Sequence, residues 1–181
     1  VLDKKDGEIL LLSEYGLDAQ PFDTSGKSRV DWKDSTIRKW LNDDFYNSAF
    51  SEKEKENIVE SKSEGFEEYN TSMNLTGGGK PYAYLEREIE DKVFLLSNTE
   101  LCAYFSEDPY PGCYSDPYAH KELLCYPTAY AKQQLETRYQ TETCGWWLCN
   151  HVYEDDSVEL VSAYGQGSGT SRENIKANTK S

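Results

Sequence analysis

Cys144-Gly-Trp-Trp-Leu-Cys149 is the stretch of sequence that most constrains the fold of this chain. Its apolar and aromatic residues predict a strand from Gly145 to Cys149, with a second strand from Ser157 to Tyr164. Because successive side chains of a strand point to opposite faces, we expect one of the adjacent tryptophans to anchor a core and the other to face a different surface. Beyond Gly165 the composition is polar and predicts a loop.

The net charge of the chain excludes several classes of function. The 181 residues carry a formal charge of −14, which disfavours binding to nucleic acids and to anionic membranes. No apolar run approaches the ~18 residues of a membrane span, so we expect no membrane insertion. The chain also has 14 Tyr, 4 Trp and 6 Phe, and tyrosine suits both strands and exposed binding surfaces.

Hydrophobic patterns upstream of the tryptophans predict helices and strands. Buried strands are expected at Ile9–Ser13 and Val93–Ser97, and helices at Thr36–Tyr46, from Ser51, at Thr99–Phe105 and from Pro127 to about Leu135. In the first helix, capped by Asp34 or Ser35, the side chains expected to face water are Arg38, Lys39, Asp43 and Asp44. Ser51 and Glu54 form a capping-box pattern at the start of the second helix.

Two polar stretches predict irregular structure. Glu60 to Arg87 indicates a long loop or β-excursion, and Asp108 to Tyr118, with three prolines, indicates an irregular loop. The first stretch contains Thr76-Gly-Gly-Gly79, which lacks the Gly-Lys-Ser/Thr continuation of a phosphate-binding loop. Lys80 precedes a proline, so we interpret the glycines as a flexible loop.

The cysteines allow more than one interpretation. They are five in number, Cys102, Cys113, Cys125, Cys144 and Cys149, so at most two disulfides can form. Their spacings match neither a zinc pattern nor a C-x-x-C redox motif. Structural or free buried thiols are favoured, while one or two disulfides, or a metal site, remain open.

Candidate catalytic and metal-binding groups are few. Cys149 and His151 lie on the same side of the predicted strand, but neither an orienting group nor an oxyanion loop is recognisable. Glu154-Asp155-Asp156 offers oxygen ligands for calcium without a calcium-loop motif, and a solvated turn is the favoured interpretation. We therefore predict no catalytic residues and no cofactor, with calcium left open.

Taken in order, several segments resemble a bacterial domain family of unknown function, abundant in gut-type bacteria and their phages. The matching segments are Val1–Asp3, Ile9–Ser13, Trp32, Ile37–Asn42, Asp44–Phe50, Glu56–Ile58, Asp91–Ser97, Tyr104–Phe105, Pro127–Lys132 and Trp146–Leu148. That family is similar to the C-type-lectin-like fold of formylglycine-generating enzymes and of variable proteins from diversity-generating retroelements. The resemblance implies a single α+β domain over residues 1–181, truncated at both ends, with two main helices packed on small, twisted antiparallel sheets.

The resemblance also suggests where a ligand binds. Cys149-Asn-His-Val replaces the family's usual Arg-Ser-Pro-Gly, and no residues match the cysteine-rich active site of the formylglycine-generating enzymes. In retroelement-diversified relatives the segment after the tryptophan strand carries variable binding residues, which corresponds here to residues 150–180. The predicted ligand-binding residues are Trp147, Tyr153, Tyr164, Gln166, Ser168, Arg172 and Asn174.

These observations predict a non-enzymatic recognition domain of a bacterial or phage surface protein. The expected partner is a protein or a glycan, the favoured location is extracellular or on the cell or phage surface, and the oligomeric state is left open. Two alternatives remain: a structural module of a larger surface protein, and a thiol-dependent enzyme built on Cys149 and His151.

Overall fold

The computed structural model describes residues 1–27, 30–62, 89–105, 121–135, 141–151 and 158–170, and these form a mixed α+β structure. The strands are β1 (Asp3–Lys5), β2 (Glu8–Leu10), β3 (Tyr15–Gly16), β4 (Ser61–Lys62), β5 (Glu90–Asp91), β6 (Tyr126–Pro127), β7 (Trp146–His151), β8 (Val158–Val161) and β9 (Gly167–Thr170). The α-helices are α1 (Thr36–Trp40), α2 (Tyr46–Ala49), α3 (Glu52–Lys55), α4 (Asn98–Phe105) and α5 (Ala129–Gln134). Single 3₁₀ turns occupy Trp32–Asp34 and Lys121–Leu123.

The largest described sheet is the antiparallel arrangement β7-β8-β9. Trp146 pairs with Val161, and the register shifts between Trp147 and His151, where β7 contains a bulge. The predicted strands at Gly145–Cys149 and Ser157–Tyr164 are thus confirmed in type, with shifted ends. The prediction of a loop beyond Gly165 is wrong for Gly167–Thr170, which form β9: β8 supplies backbone partners that composition does not reveal. Residues 171–181 lie outside the described ranges.

The strand β7 lies between two groups of buried apolar side chains. The first cluster comprises Phe22, Trp32, Ile37, Leu41, Cys149 and Val158, and the second comprises Leu96, Leu101, Leu123, Leu148 and Val161. Trp147 packs against the first cluster and Trp146 against the second. The alternation of the tryptophans is as predicted, and both are partly buried, because apolar residues lie on both faces of the strand.

The helix predicted over Thr36–Tyr46 is confirmed and extends to Ala49. Its middle, Leu41–Phe45, is a π-helical turn that joins α1 to α2. Ser35 is the N-cap, and its hydroxyl accepts a hydrogen bond from the Arg38 N–H at 3.2 Å. The N–H of Thr36, at the start of the helix, donates to the Asp23 carboxylate at 3.2 Å. Side chains therefore satisfy the N–H groups of Thr36 and Arg38 in the first turn.

The buried carboxylate of Asp91, in β5, links this strand to the helix. Asp91 is 4% exposed and accepts from the Trp32 indole N–H at 2.9 Å and from the Arg38 Nε at 2.8 Å. The expectation that Arg38 faces water is therefore wrong, because a paired guanidinium compensates the buried charge. One turn further, the Asn42 side chain accepts from the Lys92 N–H at 2.9 Å and donates to the Val93 carbonyl at 2.9 Å.

Two predicted strands differ from the structure. At Ile9–Ser13, only the first residues belong to a strand, and Ile9 and Leu11 are 57% and 70% exposed. At Val93–Ser97 the chain is irregular, although Leu96 is buried and its carbonyl accepts from the Cys149 N–H at 3.0 Å. Apolar runs of this length do not by themselves distinguish strands from other buried or edge segments.

The remaining helices begin at side-chain caps. Ser51 and Glu54 form the predicted capping box of α3, and these hydrogen bonds lower the pKa of Glu54. Helix α4 is confirmed, and Ser97 and Glu100 bond reciprocally at its start. Helix α5 is capped by Thr128, so the prediction that Pro127 opens the helix is wrong by two residues: this proline lies in β6 instead.

Several predictions fall on residues outside the described ranges. These include most of the loops expected at Glu60–Arg87 and Asp108–Tyr118, among them the glycine triplet at Gly77–Gly79. Over the residues that the structure describes, none of the helices is both long and apolar enough to cross a membrane.

Candidate functional site

Among the predicted binding residues whose burial the structure describes, the most exposed lies in the turn between β8 and β9. Tyr164 is 74% exposed. Ser162 fixes the turn: its N–H donates to the Gln166 carbonyl at 2.7 Å, and its hydroxyl accepts from the Tyr164 N–H at 3.3 Å. Gly165 adopts φ 74°, which glycine reaches without steric cost. The backbone that carries this tyrosine is therefore held by several hydrogen bonds.

The segment immediately before β7, residues 143–145, contacts the same turn. The Thr143 hydroxyl donates to the Ala163 carbonyl at 2.7 Å. Gly145 lies close to the backbone of residues 161–163: a Cβ on it would be 2.9 Å from the Val161 carbonyl oxygen and 3.6 Å from the Ala163 nitrogen. Residues 161–163, which lead into Tyr164, thus contact the chain segment 143–145.

The other predicted binding residues have different environments. Trp147 is partly buried: its ring meets Phe22 edge to face with centroids 6.0 Å apart, and its indole N–H donates to the Gln20 carbonyl at 3.0 Å. Gln166 is partly buried next to Tyr164, and Ser168 lies on β9. Tyr153, Arg172 and Asn174 lie outside the described residues.

A second group of exposed tyrosines was not predicted from the sequence. Tyr15 of β3 and Tyr126 of β6 are directly paired in a parallel bridge and are 50% and 44% exposed. Tyr130, in the first turn of α5, is 58% exposed. Thr128 holds these elements together, since its N–H donates to the Gly16 carbonyl at 2.9 Å and its hydroxyl to the Leu17 carbonyl at 3.3 Å.

A backbone bridge connects the segment that carries Tyr126 with the segment that contacts the Tyr164 turn. Cys125, which directly precedes Tyr126, pairs with Cys144, whose N–H donates to the Cys125 carbonyl at 2.8 Å. Cys144 in turn follows Thr143, the partner of the Tyr164 turn. We use the term tyrosine surface for the four exposed side chains Tyr15, Tyr126, Tyr130 and Tyr164 on these connected segments.

The sequence contained one weak signal for this surface, the surplus of tyrosine. The parallel pairing of Tyr15 with Tyr126 joins positions 111 residues apart, and no local pattern reports such a contact. Only Tyr164 of the four was predicted, and it was predicted from resemblance.

The described residues offer little for thiol catalysis at Cys149. This side chain is 2% exposed and packs in the first cluster, so its sulfur has no route to a substrate. His151 ends β7 opposite Val158. Within the described ranges there is no group of three His, Cys, Asp or Glu side chains placed to hold a metal ion, and Glu154–Asp156 lies outside them.

The described residues form an α+β structure that exposes tyrosines on a turn, on two paired strands and on a helix. The chain belongs to the family described as domain of unknown function (DUF6273), whose model matches residues 6–180. Neither the curated proteins nor the solved structures contain a significant match.

Proposed function

We propose that this chain is a non-enzymatic recognition domain that binds a protein or a glycan through the tyrosine surface. The observation that carries the proposal is Tyr164, which is 74% exposed on a turn held by hydrogen bonds within the turn and by one from Thr143. A residue whose backbone is held before binding loses less conformational entropy on contact with a ligand. Tyrosine adds a flat apolar face and a hydroxyl, which suits contact with sugars or with polypeptide.

The charge of the chain narrows the ligand chemistry. At −14, the chain repels polyanions, attracts basic ligands and does not oppose the approach of neutral ones. We therefore place neutral glycans and basic protein surfaces ahead of sialylated or sulfated glycans as ligands.

The C-type-lectin-like resemblance supports the proposal at a finer level. On that basis the segment after β7 contributes adaptable polar contacts, the residues being Tyr153, Gln166, Ser168, Arg172 and Asn174. The same resemblance favours display on the surface of a bacterium or a phage. Calcium held by Glu154–Asp156 is an optional part of the proposal, which chelation tests directly.

Exposed apolar side chains near the start of the chain favour a second candidate function, a structural module. Val1, Ile9 and Leu11 are 72%, 57% and 70% exposed. Apolar side chains grouped in this way are typical of surfaces that pack against other polypeptide. In this reading the domain contacts a neighbouring part of a larger surface protein and binds no separate ligand.

The test is a binding screen of the chain against neutral glycans and bacterial surface proteins, with and without EDTA. For any ligand found, we expect Tyr164→Ala and Tyr126→Ala each to weaken binding about tenfold or more, since exposed aromatic anchors dominate such interfaces. Tyr104→Ala is the matched control: it removes an exposed tyrosine from α4, where burial and the charges of Asp3 and Glu100 raise the pKa of its hydroxyl.

The outcomes separate the candidates. Loss of binding in the Tyr164 and Tyr126 variants, with Tyr104→Ala unchanged, supports recognition through the tyrosine surface. Equal binding by all three variants contradicts that site. A screen without any ligand favours the structural module.

A further inference from the structure

Two thiols face each other beside the tyrosine surface. Cys125 and Cys144 are directly opposed in an isolated antiparallel bridge. A Cβ built on Gly16 would lie 3.1 Å from the Cys144 sulfur and 3.3 Å from the Cys125 sulfur, so both side chains converge on this glycine. Both thiols are partly exposed, unlike that of Cys149, which is buried.

The backbone geometry of this pair suits a disulfide. Directly opposed residues of antiparallel strands have Cα atoms about 4.5–5.5 Å apart, which falls within the range of about 4.4–6.8 Å that disulfides require. The glycine at position 16 leaves room for the sulfurs, since any larger residue would press on both of them. Joining them therefore requires rotation of side chains and no displacement of strands.

The environment makes the two thiols chemically unequal. The Cys144 thiol and the Gly16 backbone N–H both donate to the Cys125 sulfur, and these hydrogen bonds lower the pKa of Cys125. The same contact with Cys125, together with burial, raises the pKa of Cys144. Cys125 is consequently the thiol that reacts first, because the thiolate is the nucleophile in exchange reactions.

We propose that Cys125 and Cys144 form a reversible redox pair that is oxidised by small-molecule disulfides. The Cys125 thiolate attacks one sulfur of the small disulfide, which breaks its S–S bond, forms a mixed disulfide and releases one small thiol. Deprotonated Cys144 then attacks the Cys125 sulfur, which forms the internal disulfide and releases the second small thiol. The protein loses two electrons and two protons, and the small disulfide gains them as two thiols.

The internal disulfide would rigidify the support of the tyrosine surface. It covalently closes the segment from Cys125 to Cys144, which contains Tyr126 and α5. Closure of a loop of this length reduces the entropy of the unfolded chain, so we expect the oxidised protein to melt roughly 5–10 °C higher than the reduced one. Reduction of the disulfide reverses this gain in melting temperature.

The first experiment equilibrates the full chain with mixtures of oxidised and reduced glutathione. We expect the mass of the intact protein to fall by two hydrogen atoms, peptide mapping to link Cys125 with Cys144, and a reductant to reverse the change. A pair that stays reduced in excess oxidised glutathione, or a link that joins other cysteines instead, overturns the proposal.

Single substitutions test the order of the two steps. In Cys144→Ser, the glutathione adduct should accumulate on Cys125, because the second thiol is absent. In Cys125→Ser, the adduct on Cys144 should form at least tenfold more slowly at neutral pH. Equal adduct formation in the two variants contradicts the assigned roles. Cys149→Ser is the control and should leave formation of the Cys125–Cys144 link unchanged.

Discussion

At the scale of single residues, Asp91 is a buried charged group that joins segments distant in the sequence. Its buried carboxylate receives the Trp32 indole N–H at 2.9 Å and lies 2.8 Å from an Arg38 terminal nitrogen. A buried charge is costly unless it is paired, and here the pair also joins the helical segment that follows Ser35 to β5. The resemblance grouped Asp91 with an apolar run, without any indication of these partners.

Replacing Asp91 by Ala should lower the free energy of unfolding by about 3 kcal/mol, because the guanidinium and the indole N–H lose their acceptor. Asp91→Asn should cost less, since an amide oxygen still accepts from Trp32. Urea unfolding measures both, with Asp44→Ala as the exposed control, which should change stability by less than about 0.5 kcal/mol. Similar losses for Asp91→Ala and Asp44→Ala would show that the buried pair contributes nothing.

At the scale of secondary-structure elements, the pairing of β7 with β8 positions both the core and the Tyr164 turn. Gly145 immediately precedes β7 and lies against the backbone of residues 161–163. This close approach allows Trp146 to pair with Val161 and Thr143 to bond Ala163. A glycine at this position is therefore required by the proximity of two backbones, without any need for unusual dihedral angles.

Gly145→Ala should lower the free energy of unfolding by about 1–3 kcal/mol, because its Cβ would lie 2.9 Å from the Val161 carbonyl oxygen, and a backbone atom cannot easily move aside. Gly16→Ala is the matched comparison. Its Cβ would meet two sulfurs at 3.1 and 3.3 Å, and side chains can shift, so the loss should be smaller. Denaturant titration of both variants measures the difference. A larger loss for Gly16→Ala would mean that the sulfur pair is more rigid than the sheet.

At the scale of the whole molecule, β7 unites two clusters that would otherwise be separate. Cys149 and Trp147 belong to the side of the first cluster, and Leu148 and Trp146 to that of the second. Phe94 packs against both clusters as well. A strand buried on both faces transmits a loss of packing from one cluster to the other, which predicts cooperative unfolding.

Leu148→Ala should therefore destabilise the entire domain by about 3 kcal/mol, and far-UV circular dichroism and tryptophan fluorescence should report the same shifted midpoint. The fluorescence is informative because three of the four tryptophans, Trp32, Trp40 and Trp147, lie at the first cluster, whereas Leu148 and Trp146 belong to the second. Leu11→Ala, at a position 70% exposed, is the control. Separate transitions by the two probes would show that the clusters unfold independently.

Features that depend on residues close in the sequence were predictable, and features that depend on distant residues were not. Ser35, Ser51 with Glu54, and the alternation of Trp146 and Trp147 were readable, because caps and strand periodicity depend on residues close in sequence. Ile9 and Leu11 were predicted to be buried but are exposed, because the apolar character of a side chain does not show whether another part of the chain packs against it. Tyr164 was the one member of the tyrosine surface that the sequence indicated.

Local sequence patterns were enough to predict the main helix with its cap and the strands around the adjacent tryptophans, while the family resemblance implied the α+β class. Tertiary structure alone decided that both tryptophans are packed, that Asp91 pairs with Arg38, and that Tyr15 lies beside Tyr126. It also placed the Cys125 and Cys144 sulfurs together at Gly16. The physical reason is that helix caps and side-chain periodicity arise between near neighbours in the chain, whereas these contacts join residues brought together only when the core closes.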